Sequence, residues 1–220
     1  MIKVAVIGVG SISECHLDAY VKNKDAELYA ICDINPETLK RQGERYNIPE
    51  ERRFLDYKEL LKLPEIDAVS VCTWNSEHAP VTIAALQAGK NVLCEKPMAT
   101  TLADCERMVS AAKKSGKRLM IDQNQRLAGA HRKARELIRA GAIGKPLTFR
   151  TAFRHGGPET WRVDPGKSTW FFDKKRAAMG AMADLGVHKT DLIQFLLDQV
   201  VVETMASLTT LDKKFADGSP

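Results

Sequence analysis

Short apolar runs alternate with longer amphipathic segments through the first half of the chain. Apolar runs at residues 2–7, 27–32, 67–72, 92–94 and 118–121 predict five buried β-strands. Helical spacing of apolar positions predicts helices over 12–23, 36–46, 56–63, 77–88 and 101–115. Strands that alternate with helices favour right-handed crossover connections and a parallel sheet. We therefore predict a doubly wound α/β domain over residues 1–122.

The pattern changes after residue 122. It predicts helices over 129–140 and 181–197, and strands over 146–154 and 200–211. Two strands are too few for an independently stable sheet, and Asp217-Gly218 is a hairpin signal with only two residues after it. We therefore predict that residues 123–220 form an incomplete α/β domain whose later strands belong to a longer natural protein.

Composition and charge narrow the function classes. The 220 residues are 44% hydrophobic and 28% charged with a net charge of +5, which is ordinary for a soluble globular protein. Basic residues are scattered along predicted helices, which favours solvated helix faces over a nucleic-acid surface. Five dispersed cysteines, of which Cys32, Cys72 and Cys94 lie in apolar runs, predict buried free thiols and a reducing compartment. No signal-like or bilayer-spanning run is present, so a cytoplasmic protein without a membrane partner is expected.

A glycine-rich turn follows the first predicted strand, with the sequence Gly8-Val9-Gly10-Ser11-Ile12-Ser13. The first glycine permits a tight turn, the second lets the backbone approach a pyrophosphate, and the helix that follows offers free N–H groups. Asp33 ends the second strand, where it would accept hydrogen bonds from a ribose and repel a 2′-phosphate, which favours NAD over NADP. The alternative is a structural glycine turn with Asp33 in an Asx-turn.

Two other loops follow predicted strands, at Thr73–His78 and at Glu95-Lys96-Pro97. Ligands of open parallel sheets bind outside the carboxyl ends of the strands, so we expect both loops to border a bound cofactor and Lys96 to reach a substrate. A helix N-cap at Ser76 and a surface position for His78 are the alternatives for the first loop. The predicted cofactor-binding residues are Gly8, Gly10, Ser11, Ile12, Asp33, Thr73, Trp74, Asn75, His78, Glu95 and Lys96.

Asp184, His188 and Asp191 share one face of the predicted helix over 181–197. A surface helix with an i,i+4 pair explains this spacing as well as a functional site does. A metal site would need a third ligand group, and the sequence shows no second cluster with metal-ligand spacing, so no metal is predicted.

Together these motifs resemble the Gfo/Idh/MocA oxidoreductases. The residues that carry the resemblance are Gly8-x-Gly10-x-x-Ser13, Asp33, Glu95-Lys96-Pro97 and Gly180-x-x-x-Asp184-x-Gly186-x-His188-x-x-Asp191, in the order of the family. The resemblance implies a Rossmann domain followed by an α/β domain with a mostly antiparallel sheet, which often forms a homo-oligomer interface. It also implies NAD- or NADP-dependent oxidation of sugars, cyclitols or related polyols.

By matching positions, the resemblance implies Lys96, Asp184 and His188 as the catalytic group and a cis bond between Lys96 and Pro97. An imidazole titrates near neutrality, which favours His188 as the proton acceptor, with Asp184 holding its tautomer. Lys96 would then orient the hydroxyl and stabilise alkoxide character, although Lys96 as the base stays open. The family's C-terminal domain is usually longer than residues 123–220, which is consistent with an incomplete domain.

Polar and aromatic residues downstream are candidates for substrate contact, either after the last Rossmann strand or within the irregular stretch at 155–178. These residues are Asn124, Arg126, His155, Trp161 and Arg162. Two other functions remain open on the same fold. One is a non-catalytic, NAD-sensing regulatory protein, and the other is an NAD-dependent glycoside hydrolase.

Overall fold

The computed structural model describes residues 1–160 and 169–209. Six parallel strands form one sheet in the order β3-β2-β1-β4-β5-β6. Their bounds are Ile2–Ile7 (β1), Ala26–Cys32 (β2), Arg53–Phe54 (β3), Ala68–Val71 (β4), Asn91–Cys94 (β5) and Leu119–Ile121 (β6). The strand order reverses between β1 and β4, and the crevice at such a reversal is where ligands of doubly wound sheets bind. The predicted parallel sheet is confirmed.

Helices connect the strands as predicted. They are Ser13–Lys22 (α1), Pro36–Arg45 (α2), Tyr57–Leu61 (α3), His78–Gln87 (α4) and Leu102–Ser115 (α5). The sequence predicted five strands and missed β3, because two residues are too short to show a period. β3 forms at the sheet edge through pairing of Ile31 with Arg53 and of Cys32 with Phe54.

The core lies on both faces of the sheet, and β1 contributes to each. Ala5 and Ile7 pack into the cluster that contains Met108 of α5, whereas Val6 packs with Leu17 of α1. Successive strand side chains point to opposite faces, so a strand covered by helices on both sides is apolar throughout. Cys32, Cys72 and Cys94 are free and buried in the structure, as predicted.

In the described part of the second region there are three more α-helices, with bounds Gly129–Arg139 (α6), Lys174–Ala177 (α7) and Val187–Leu197 (α8). α8 is preceded by one π-helical segment, Met182–Gly186, where a regular helical turn was predicted. Within residues 1–160 and 169–209, no helix combines the length and apolar character that crossing a bilayer requires.

The predicted strands of the second region are wrong for the residues that the structure describes. Neither 146–154 nor 200–209 pairs with another strand, and residues 210–211 lie outside the description. Leu147 is 84% exposed and Val202 is 91% exposed. An alternating pattern marks a face that suits a sheet, but a strand forms only where a partner supplies the hydrogen bonds. The mostly antiparallel sheet is therefore not formed within the described residues.

Candidate active site

The turn after β1 is built around two glycines with different constraints. Gly8 has a φ of +85°, and a Cβ there would lie 2.7 Å from the backbone oxygen of Cys72, so a side chain does not fit. A Cβ at Gly10 would meet no atom of the described residues within 4 Å, which leaves its backbone open to a ligand on that side. Ser13 is buried where the dinucleotide motif has a third glycine, and its hydroxyl donates to the Gly10 carbonyl at 2.6 Å. Among the described residues, no side chain caps the start of α1; the N–H groups of Glu14 and Cys15 donate to the carbonyl oxygens of Ser11 and Ile12 at 3.4 and 3.2 Å. The positive end of the helix dipole at this start favours an anion.

Asp33 lies beside this turn and is held by two backbone groups. Its Oδ2 accepts the N–H of Val9 at 2.8 Å, and its Oδ1 accepts the N–H of Asn35 at 2.9 Å. The Asx-turn and the placement beside the glycine turn therefore exist together and are not alternatives. Each carboxylate oxygen can accept a further hydrogen bond, so the group keeps capacity for a ribose hydroxyl.

Lys96 follows β5, and its bond to Pro97 is cis. Its Nζ donates to Asp184 twice, to the backbone oxygen at 2.9 Å and to Oδ1 at 3.1 Å. The side chains are only 16% and 12% exposed, so water screens this ion pair weakly. The structure thus brings together two of the three residues predicted to be catalytic.

His155 also contacts Asp184, with its Nε2 3.1 Å from Oδ2. Its other nitrogen, Nδ1, accepts the N–H of Gly157 at 3.0 Å. A neutral imidazole has one donor and one acceptor nitrogen, so Nε2 carries the proton and donates to Asp184. The carboxylate of Asp184 is therefore shared by Lys96 and His155.

His188 lies in the first turn of α8 and is 7% exposed. Its ring is tilted against Phe153 at 5.7 Å between centroids, and its Nδ1 is buried without a hydrogen-bond partner among the described residues. Burial lowers the pKa of His188, and the Lys96 ammonium lowers it further, so the imidazole is neutral at neutral pH. A general base must be neutral to accept a proton, and His188 meets that condition.

The predicted hydrogen bond between Asp184 and His188 is not observed, because Asp184 binds Lys96 and His155 instead. The local helix geometry accounts for this. Asp184 lies in the π-helical segment Met182–Gly186, whose i→i+5 bonding changes the angular offset that four residues produce in an α-helix. Sequence spacing alone assumed a regular helix.

Asp191, the third residue of this face, is paired elsewhere. Arg126 donates from Nε to Oδ2 at 2.7 Å and from Nη2 to Oδ1 at 2.5 Å, and this hydrogen bonding raises the pKa of Arg126. Arg126 therefore anchors α8 rather than pointing free into a cleft. Asn124 is exposed in the short turn at its side. Trp161 and Arg162, the remaining substrate candidates, lie outside the described residues.

Side chains of the Thr73–His78 loop are largely engaged within the protein. Asn75 is buried and donates to the Ala177 backbone oxygen at 2.8 Å, and the guanidinium of Arg176 lies 4.0 Å from the Trp74 ring centroid. The α7 region thus packs over this loop, and the side chains of Trp74 and Asn75 contact it. Thr73 differs, because its Oγ1 is buried and has no hydrogen-bond partner within residues 1–160 and 169–209.

His78 is buried rather than at the surface, and its ring lies between two carbonyls. Nδ1 is 2.7 Å from the Pro97 oxygen, and Nε2 is 3.1 Å from the Thr73 oxygen. Burial lowers the pKa of His78, although the two carbonyl contacts oppose that shift. Its role in this structure is to hold the Lys96–Pro97 turn, so the predicted contact with a cofactor is not supported by its placement.

Sequence reasoning missed a buried polar cluster below Lys96. His16 of α1 lies with Nε2 at 3.0 Å from Glu95 Oε1 and 3.6 Å from Asp122 Oδ2. Burial and the nearby Glu95 raise the pKa of Asp122, while His16 opposes that rise. The one available signal was the position of His16 beside Leu17 on the apolar side of α1.

Comparison with known families identifies the fold and its relatives. Residues 2–123 match the family described as "Oxidoreductase family, NAD-binding Rossmann fold", and residues 131–218 match the "GFO/IDH/MocA C-terminal domain". The chain belongs to the Gfo/Idh/MocA oxidoreductase family. The resemblance inferred from the Glu95-Lys96-Pro97 and Asp184-x-Gly186-x-His188-x-x-Asp191 motifs is thereby confirmed.

Relatives within this family act on sugars and cyclitols by name. The chain is 31% identical over 217 residues to the myo-inositol 2-dehydrogenase of Thermotoga maritima, a match over 99% of this chain and 58% of the relative. It is 34% identical over 198 residues to the D-apiose dehydrogenase of Paraburkholderia graminis, covering 90% and 50%. A structure of levoglucosan dehydrogenase with NADH and levoglucosan gives a TM-score of 0.78 at 29% identity, covering 89% of this chain and 54% of that one. The chain spans about half the length of the curated relatives it matches.

Proposed function

We propose that this protein is a nicotinamide-dependent oxidoreductase that transfers a hydride between NAD and a secondary alcohol of a sugar, cyclitol or related polyol. The observation that carries the proposal is the arrangement of Lys96, Asp184 and a neutral His188 at the carboxyl end of the parallel sheet. The named activities of the relatives support the same substrate class.

The residues present fit a dinucleotide. Gly10 leaves open space above an uncapped helix start, which suits a pyrophosphate. The Asp33 carboxylate is fixed beside that turn and suits a ribose diol, while its charge disfavours a 2′-phosphate. When bound, the nicotinamide supplies the hydride acceptor. NAD is therefore the favoured cofactor, with NADP as the alternative.

The side chains divide the proton and charge chemistry between them. His188 accepts the hydroxyl proton, because burial and the Lys96 ammonium lower the pKa of its imidazole and favour the neutral form. The Lys96 ammonium stabilises the alkoxide character that develops on the substrate oxygen. Asp184 keeps Lys96 in place through its backbone and carboxylate oxygens, and His155 steadies the carboxylate from its other side.

The chemistry is tested by NADH formation from a panel of sugars and cyclitols. Lys96→Met should lower kcat by about 10²- to 10³-fold, as the loss of one charge-stabilising group does. His188→Asn should lower it by about 10²- to 10⁴-fold through loss of the base. Both variants should still bind NADH. Lys133→Met, at an exposed lysine of α6, is the matched control and should keep the wild-type rate.

Three outcomes would redirect the assignment. Unchanged turnover in Lys96→Met and His188→Asn would contradict the proposed site. Tight NADH binding without turnover on any substrate would favour an NAD-sensing regulatory protein. Release of a free sugar from a glycoside without net NADH would favour an NAD-dependent hydrolase.

Cofactor preference is tested separately by NADH and NADPH titrations. The wild type should bind NADH more tightly, and Asp33→Ala should lose that preference because it removes the ribose acceptor and the repulsive charge. Asp25→Ala, at an exposed turn before β2, is the control for a generic loss of negative charge. Wild-type preference for NADPH would contradict the role given to Asp33.

A further inference from the structure

Two buried histidines, each from a helix that packs on the sheet, contact the residues on either side of Lys96 in the Glu95-Lys96-Pro97 turn. His16 of α1 contacts the Glu95 carboxylate at 3.0 Å. His78 at the start of α4 contacts the Pro97 carbonyl at 2.7 Å. Lys96 lies between these two anchors, and the two histidines are 6% and 1% exposed. The position of Lys96 is therefore set by the contacts of His16 and His78 with its two neighbours as well as by Asp184.

The contact of His16 leads directly to the backbone of Lys96. Glu95 is 4% exposed and uses one oxygen for His16 Nε2, while its Oε2 accepts the Lys96 backbone N–H at 3.1 Å. The second ring nitrogen of His16 is fixed by Ser70 Oγ at 3.2 Å. That hydroxyl is in turn 2.6 Å from the hydroxyl of Tyr20. A continuous chain of contacts thus runs from α1 through His16 and Glu95 to Lys96.

The geometry favours mutual pairing of these groups over a cation site. His16, Glu95 and Asp122 offer ligand atoms that lie within 4.8 Å of one another. However, Nε2 of His16 is at direct hydrogen-bond distance from Glu95, and the other oxygen of Glu95 is taken by a backbone N–H. Removing the imidazole would leave a buried carboxylate without its partner, and a buried charge in that state moves or takes up a proton.

We propose that His16 is a positioning residue that fixes Glu95 and, through it, the backbone of Lys96 relative to α1. α1 is the helix whose start borders the glycine turn, so His16 sets the distance between the cofactor site and the lysine. This inference rests on the proposed function for its kinetic consequence. The structural part of it stands on the contacts alone.

The test compares three substitutions in the whole chain. His16→Leu removes both contacts of the ring. His16→Gln keeps an N–H donor that can reach Glu95. Tyr20→Phe is the matched control, because it removes one hydrogen bond at the far end of the same chain of contacts and leaves the His16–Glu95 contact intact.

The expected kinetic result is a loss in kcat without a loss in cofactor affinity. His16→Leu should lower kcat by about 10- to 100-fold, the cost of a catalytic group displaced by about 1 Å. NADH affinity should match the wild type, His16→Gln should recover most of the rate, and Tyr20→Phe should keep it. A purely structural role for His16 would instead lower the folded fraction of both His16→Leu and Tyr20→Phe and leave kcat per folded molecule unchanged.

Amide hydrogen exchange supplies a readout that does not depend on turnover. His16→Leu should speed exchange in the segment that contains the Lys96 amide while α1 stays protected, and Tyr20→Phe should not. If the wild type turns over no substrate, this measurement still decides the positioning role, so the two proposals fail separately. Equal protection of the Lys96 amide in His16→Leu and wild type, or a bound divalent ion that His16→Leu loses, would overturn the inference.

Discussion

The ion pair between Lys96 and Asp184 gives the sharpest energetic prediction. We would replace Lys96 with Met and Asp184 with Asn, singly and together, and measure the free energy of unfolding of all four proteins. The double-mutant cycle isolates the side-chain interaction, because the Asp184 backbone oxygen that also accepts from Lys96 remains in every variant.

The magnitude follows from distance and burial. Two unit charges 3.1 Å apart attract by about 5 kcal/mol at an effective dielectric constant of about 20. Desolvation of both groups offsets part of this, so a coupling energy of about 2–3 kcal/mol is expected for contacting, mostly buried residues. Each single variant should then lower Tm by roughly 4–12 °C, at about 2–4 °C per kcal/mol for a chain of this size.

A second pair supplies the control. Lys133 and Glu136 of α6 are closer, at 2.6 Å, but their side chains are 60% and 65% exposed. Their coupling energy should be only about 0.3–0.5 kcal/mol, because water screens the charges. If the two cycles gave equal coupling, or if the Lys96 and Asp184 effects added within about 0.5 kcal/mol, the reasoning from burial would be refuted.

Three further predictions follow from other parts of the structure. Gly8→Ala should lower Tm because its Cβ would meet the Cys72 backbone, whereas Gly10→Ala should keep Tm and weaken NADH binding; the reverse pattern would contradict the roles given to the two glycines. Arg126→Leu should cost about 2–4 kcal/mol of stability by leaving Asp191 buried and unpaired, with turnover per folded molecule reduced far less than in Lys96→Met. Because the folded-state pKa of His188 is depressed below an unfolded value near ~6.5, its contribution to stability is full above that pH and is lost as pH falls through the folded pKa. Thermal unfolding across this range should therefore show a smaller acid-induced fall in Tm for His188→Asn than for wild type, and parallel curves would count against the shift.

The parts of the fold that sequence predicted best are those set by local constraints. The alternation of buried runs and amphipathic segments gave the parallel sheet, and the glycine turn and Asp33 were placed by their positions at strand ends. β3 was not predicted, because two residues are too few to show an alternation of apolar and polar positions and the strand depends on pairing with β2. The strands predicted at 146–154 and 200–211 are not formed in the part that the structure describes, which includes 200–209 of the second, because strand formation requires a partner that local pattern does not supply.

The candidate site shows the same division between local and long-range information. The motifs correctly indicated Lys96 and Asp184 as parts of one site. The expected contact between Asp184 and His188 is wrong, because a π-helical turn is present where a regular helical turn was assumed. His16 was missed because a histidine in the sequence of an amphipathic helix is usually predicted to lie on the polar, solvent-exposed face. Its burial becomes evident only when the fold brings Glu95, 79 residues along the chain, against its ring.

The proposed reaction is hydride transfer between a polyol carbinol carbon and the nicotinamide at the Lys96–His188 site. The most direct measurement uses a cyclitol or sugar deuterated at that carbon, with NAD, followed by mass analysis of the reduced cofactor. We predict that one deuterium appears in the cofactor, with a slower rate than for the unlabelled substrate and almost no product from Lys96→Met. A reduced cofactor without deuterium, or equal labelling by Lys96→Met at the wild-type rate, would contradict it.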